Sequence, residues 1–261
     1  MSEPRKVPEI RVSSVTYRLR TDSPSHDLSR VEPLEDSLDG WTFRLKDGRL
    51  TAWPSQTYPS RESARQAIEP LLHAWAQGVY LSPARIPFQF DYDSSAVEVV
   101  DPDPHNTFVF PETAVVITEM GSPAIVIGHP LFPGPDRQYT PTPLTDLMTE
   151  RLRALGDGRA ELQATAYMIS TTIEHAFGGS KACADALVVS GNVLSTLSRL
   201  SSRFDPYVGR KASTGDPDPL TAQELGWLKA AIFRLVRRVG EHAAGGPLET
   251  ITLADLPSLG A

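Results

Sequence analysis

Apolar residues alternate with polar ones along the first part of the chain and recur at helical spacing along the second. Val15, Tyr17 and Leu19 occupy every second position within residues 10–20, which predicts a strand with one face on a core. Trp41, Phe43 and Leu45 repeat the alternation up to Lys46-Asp47-Gly48-Arg49, and residues 50–53 resume it. An Asp-Gly turn between two such runs predicts a hairpin. Ser60 can cap a helix carrying Ala64, Ala67, Ile68, Leu71, Leu72 and Trp75, with Pro70 expected to kink it or to begin a second segment. This helix is expected to lie on the sheet. Phe88, Phe90 and Tyr92 alternate again, and residues 97–100, 114–118 and 124–127 complete a set of short strands.

After Pro143 the period changes. Thr142-Pro143 reads as the cap and first residue of a helix reaching about Leu155, before Gly156-Asp157-Gly158. A second helix, over 159–177, has Leu162, Ala166, Ile169, Ile173 and Phe177 in one stripe and stops at Gly178-Gly179. A third starts at Ser180, carries Leu187, Leu194, Leu197 and Leu200 on its apolar side, and ends near Phe204-Asp205-Pro206. The last opens on a capping box of Thr221 and Glu224 flanked by Leu220 and Leu225, with Leu225, Leu228, Ile232, Leu235 and Val239 facing inward. Four amphipathic helices with mostly short connections read as a bundle. The predicted class is α+β: a β-rich N-terminal part with one or two helices, then a C-terminal bundle of about four helices.

Proline places the boundary. Of 23 prolines, 18 fall at or before Pro143 and none lies between Pro143 and Pro206, and helices run uninterrupted only where proline is missing. The expected domains are therefore 1–142 and 143–261. At 40% hydrophobic and 22% charged residues the composition is that of a folded protein. No apolar run is long enough to span a bilayer and the N-terminal residues do not read as a secretory signal, so no membrane is involved and a cytoplasmic location is expected. The single cysteine, Cys183, fits a reducing compartment and excludes a multi-cysteine metal site. Arginines outnumber lysines 20 to 5, the usage of a GC-rich bacterial source.

The net charge of -7 resides in the first part: residues 1–142 hold 13 basic and 19 acidic groups (-6), residues 143–261 hold 12 and 13 (-1). Such a chain has no global field for nucleic acid, so RNA binding would require a local basic patch. The glycine-rich phosphate loops, the Gly-x-Ser-x-Gly elbow, His-Glu-x-x-His and the calcium loop are all missing from the sequence. Asp101, Asp103 and His105, alternating with prolines, could converge on a hard or borderline cation, because side chains two apart in an extended segment point the same way; Glu112 and His129 are candidate further ligands. A polar turn leaving a strand accounts for the same residues. Trp41, Trp53, Trp75 and Trp227 all lie in periodic segments, which predicts packing roles rather than a base-stacking platform.

The last helix contains Arg234-Leu235-Val236-Arg237-Arg238-Val239-Gly240-Glu241-His242. A helical bundle whose final helix carries an arginine followed after a short interval by a histidine resembles the HEPN superfamily, over residues 143–261 at most. The resemblance implies a homodimer formed through the helical half and, in catalytic members, metal-independent RNA cleavage in toxin or phage-defence systems; other members are inactive scaffolds. Carried over, Arg237 would hold the scissile phosphate and His242 would serve as acid or base, chemistry suited to a guanidinium fork and an imidazole. The chain has Arg238 where the family often has Asn, Asp or His. Residues five apart on a regular helix point about 140° from each other, so Arg238 is the alternative partner of His242 unless Gly240 breaks the helix. Three functions follow from the sequence: a non-catalytic module binding another protein, a HEPN-like ribonuclease, and a metal-dependent hydrolase at Asp101, Asp103 and His105. No cofactor is implied.

Overall fold

The computed structural model describes residues 9–21, 31–82, 87–100, 108–109, 132–203 and 219–259. The expected strands at 114–118 and 124–127 lie outside the described residues, as do Asp101, Asp103, His105, Glu112 and His129. The fold is α+β, with the elements β1 (Glu9–Thr21), β2 (Leu34–Leu38), β3 (Trp41–Lys46), β4 (Arg49–Pro54), α1 (Arg61–Tyr80), β5 (Phe88–Val100), β6 (Phe108–Val109), α2 (Pro143–Gly156), α3 (Leu162–Ala176), α4 (Ser180–Leu187), α5 (Gly191–Ser201) and α6 (Ala222–Ala243). The chain divides into two compact units, residues 1–76 with 86–135, and residues 77–85 with 136–261. This division falls seven residues before the proline-based boundary and gives the last turn of α1 to the second unit.

In the first unit the strands form one antiparallel sheet in the order β2-β3-β4-β1-β5-β6. The hairpin β3–β4 turns on Asp47 and Gly48, both at positive φ (53° and 71°), which is what a two-residue turn matched to strand twist requires. Its register places Phe43 opposite Ala52 and Leu45 opposite Leu50, and continues to Val15 and Tyr17 on β1. These residues are buried on one face, with Ala64, Ile68, Leu72 and Trp75 of α1. The Trp75 ring lies 5.3 Å from that of Phe43 and 5.2 Å from that of Phe90, and its indole N–H donates to the Pro133 carbonyl at 2.7 Å. Each such side chain contributes about 1.5–3 kcal/mol by leaving water, so α1 continues across Pro70 despite the backbone bond that proline removes.

One expectation is corrected here and one strand is added. Residues 88–100 form one strand rather than two, following β1 through two bulges, and Leu-Glu-Asp-Ser-Leu alternates along β2 as an additional edge strand. Trp53 is the least buried of the tryptophans. It is 41% exposed, whereas Trp41, Trp75 and Trp227 are 1–3% exposed.

The second unit is a bundle of α2–α6 around a continuous apolar core that includes Met148, Leu152, Ile169, Ile173, Leu197, Trp227, Ile232 and Leu235. Helix α3 packs against both α5 and α6, and α2 against α6. The caps are those the sequence specifies: the Thr142 hydroxyl accepts from the Thr145 N–H, and Thr221 and Glu224 form the reciprocal box. Leu225 departs from the inward stripe and is 39% exposed. The long third helix expected from Ser180 is two helices. Val188 takes a left-handed conformation (φ 51°, ψ 53°), which a β-branched residue rarely adopts, and α5 restarts after Ser190.

Candidate functional site

Arg234, Arg237, Arg238 and Glu241 stand at the i, i+3, i+4 and i+7 positions of α6, one stripe of the helix. The helix is uninterrupted through Gly240, so Arg237 and His242 project about 140° apart and are not brought together within the chain. Glu241 is the centre of the stripe. Its carboxylate accepts from Arg234 Nη1 at 2.8 and 2.9 Å, from Arg237 Nε at 2.9 Å and from Arg238 Nε at 2.9 Å. Burial opposes its ionisation, yet the hydrogen bond and charge of Arg234, with the charges of Arg237 and Arg238, hold the carboxyl below the usual glutamate range.

Arg237 is engaged on every side. Besides Glu241 it pairs with Asp136 through Nη2 and donates from Nη1 to the Gly78 carbonyl at 3.0 Å. Asp136 is itself fixed, its other oxygen accepting from the Gln138 N–H at 3.0 Å.

Arg238 is buried, with only 1% of its surface exposed. Its Nη1 donates to the carbonyls of Leu187 (2.8 Å), Val188 (3.4 Å) and Glu249 (2.8 Å). It thereby joins three segments: the end of α4, the left-handed corner at Val188, and the C-terminal stretch where Ile251 bridges in parallel to Val189. Burial and the charge of Arg234 lower its pKa while Glu241 acts the other way, and a guanidinium stays protonated throughout the physiological range.

His242 lies on the exposed last turn of α6, with its ring edge-on to Phe177 at 5.5 Å and 72°. Neither Arg237 nor Arg238 is directed at it: Arg237 is held by Asp136 and Glu241, and Arg238, the nearer one by helical rotation, is committed to carbonyls. The stripe therefore works chemically as an internal ion network of three cations and two carboxylates, Glu241 and Asp136. The spacing of Arg237 and Arg238 to Glu241 was open to reading in the sequence as helical i+4 and i+3 pairs; the role of Asp136, a hundred residues away along the chain, had no local signal.

Beside this network lies a second set of polar groups, buried at Gln77, Tyr139 and Thr149 and reaching the surface at Asp146. The Tyr139 hydroxyl donates to Gln77 Oε1 at 2.7 Å, and the Gln77 amide donates to Asp146 Oδ1 at 3.0 Å and Thr149 Oγ1 at 3.1 Å. Burial raises the Tyr139 pKa, so the phenol remains a neutral donor. Each member has a partner, the condition under which a buried polar cluster rigidifies its surroundings.

Among the described residues no group of three or more His, Cys, Asp or Glu side chains is placed to hold a metal ion, and no described helix is long and apolar enough to cross a membrane. No protein-family model, curated protein or solved structure matches the chain.

Proposed function

We propose that the protein is a non-catalytic interaction module. The observation that carries this reading is the commitment of Arg237 and Arg238 to partners inside their own chain: Arg237 forks onto Asp136, Glu241 and a backbone carbonyl, and Arg238 is 1% exposed. A phosphate-holding arginine needs donors free to meet the substrate, and removing a buried guanidinium from paired carboxylates costs several kcal/mol. His242 is open to solvent but stands apart from both. A protein working in this way has a partner rather than a substrate. The single cysteine, buried in the bundle, accords with work in the reducing cytoplasm.

The HEPN-like ribonuclease is the competing reading, and its dimer through the helical half is the form in which two copies of His242 could meet new arginines. The test incubates labelled structured and single-stranded RNA with the purified protein and a chelator, beside His242→Ala and Arg237→Ala, with the oligomeric state measured by light scattering. The expected result is intact RNA with all three proteins. Cleavage by the wild type that both substitutions abolish would overturn the proposal and establish a metal-independent nuclease.

A further inference from the structure

The face of the sheet turned away from α1 carries a row of like charges. The β3–β4 turn sets Lys46 opposite Arg49, and the β1–β4 register sets Arg49 opposite Arg18, so three cations stand side by side on adjacent strands about 4.8 Å apart. Like charges directly opposite one another destabilise a sheet. The chain sets one carboxylate against two of them. A bulge in β5, where the pairing with β1 shifts between Thr16 and Tyr17, leaves Asp93 outside the ladder, and its carboxylate meets Arg18 at 2.9 Å and Arg49 at 3.5 Å. Arg20 and Arg44 extend the same face, against Asp91 and Glu35. Four arginines thus share three carboxylates at these strand positions, with Lys46 beside them, in a part of the chain whose overall charge is -6.

These arginines are 50–67% exposed along their side chains, and ion pairs at that exposure are worth at most about 1 kcal/mol, so a phosphate can replace the carboxylates at little cost. Trp53 adds a second element. It alternates with Arg49 and Thr51 along β4 and lies on the same face, opposite Thr42, roughly 13 Å from Arg49 by the strand rise. It is the exposed one of the four tryptophans.

We propose that this outer face binds single-stranded nucleic acid, with phosphates along the Lys46, Arg49 and Arg18 row and a base stacked on Trp53. Cations that track a backbone beside an exposed aromatic plane are the two parts of such a site. An acidic peptide without aromatic residues, such as polyglutamate, would use the row but brings no ring to the indole, and a duplex keeps its bases stacked away from it. The inference rests on the non-catalytic reading, since the strand is held and not cut.

The test uses the full chain with a fluorescein-labelled 15-nucleotide RNA of mixed sequence, followed by anisotropy and by tryptophan emission. The expected result is binding that quenches tryptophan emission, the other three indoles being buried. Three phosphate contacts give a salt slope of about -2, so affinity should fall about 20-fold between 50 and 200 mM salt. Arg49→Glu and Arg18→Gln should each weaken binding, the reversal by tenfold or more, and Trp53→Ala should abolish the quench; Arg159→Gln, an exposed pair with Asp157 in the helical unit, should change nothing. Circular dichroism checks that each variant folds. No binding at 50 mM salt, binding indifferent to Arg49→Glu and Arg18→Gln, or equal competition by polyglutamate without an emission change would each overturn the proposal. RNA recovered intact on a gel separates the two readings: cleavage would overturn the non-catalytic one and leave the binding result standing.

Discussion

The ring of Tyr139 lies directly against Gly240, so that a Cβ at position 240 would overlap ring carbons of the tyrosine. The contact explains a glycine in the last turn of a 22-residue helix, a residue that costs up to about 1 kcal/mol against alanine within a helix. The tyrosine cannot retreat, because its hydroxyl is held by Gln77 and the next residue's N–H, that of Thr140, donates to the Gly240 carbonyl at 3.1 Å. Gly240→Ala should therefore destabilise the helical unit by about 1–3 kcal/mol through overpacking. Gly226 lies in the same helix with open space where its Cβ would be, and Gly226→Ala should stabilise by about 0.5–1 kcal/mol. Thermal unfolding of the two variants beside the wild type checks the opposite signs.

Arg238→Ala should be the more damaging change on α6. It leaves the carbonyls of Leu187 and Glu249 without their guanidinium donor and removes one of three counter-charges from Glu241. Loss of one partner from a buried ionic network costs about 3–5 kcal/mol. Arg238→Lys should recover only part of this, because an ammonium cannot reach a carboxylate on one side and two carbonyls on the other as the planar fork does. Urea unfolding midpoints for the pair give the comparison, and equal midpoints for alanine and lysine would contradict the clamp.

Acid should unfold the helical unit through Glu241. Its folded pKa lies below the ordinary value of 4.5, so the unfolded chain takes up the proton first as pH falls. The stabilisation is present above that ordinary value and is lost as pH drops through the folded one. Glu224, lowered by the Thr221 backbone N–H and by Arg203 against an opposing effect of burial, adds in the same direction. Glu241→Gln should be less stable at pH 7 and should show a shallower loss of stability between about pH 5 and pH 3, measured by unfolding at stepped pH.

Much of this architecture is written locally. The caps at Thr142 and Thr221, the Asp47-Gly48 turn and the stripes of α3 and α6 depend on residues within a few positions of each other, and those elements stand where the pattern puts them. What escaped the pattern depends on distant partners. Val188 interrupts an apolar helical run because Arg238 and Ile251 take up the backbone groups at the corner, and helical periodicity contains no trace of either. Trp53 reads as a core residue by alternation with Leu50 and Ala52 in mind, yet it falls on the opposite parity and so on the outer face. The arginine row is similar. Lys46 and Arg49 flank a recognisable turn, but Arg18 joins them only through the pairing of β1 with β4. At the α6 stripe the residue types suited to phosphate chemistry are legible, while the carboxylates that occupy them come from i+3 and i+4 spacing and from Asp136.

Cys183 offers a measure of how tightly the bundle is closed. The thiol is fully buried on α4, and burial, with a smaller contribution from the charge of Glu174, pushes its pKa up to about 11. Only the thiolate reacts with alkylating reagents, so both access and ionisation protect it in the folded chain. Under native conditions at pH 8 the cysteine should resist iodoacetamide for hours, and in denaturant it should react at the rate of an ordinary thiol. Because α4 ends at the corner that Arg238 clamps, Arg238→Ala should expose Cys183 to slow labelling at denaturant concentrations that leave the wild type protected. Mass spectrometry of timed samples reads the modified fraction, and equal protection in both proteins would separate the thiol's burial from the clamp.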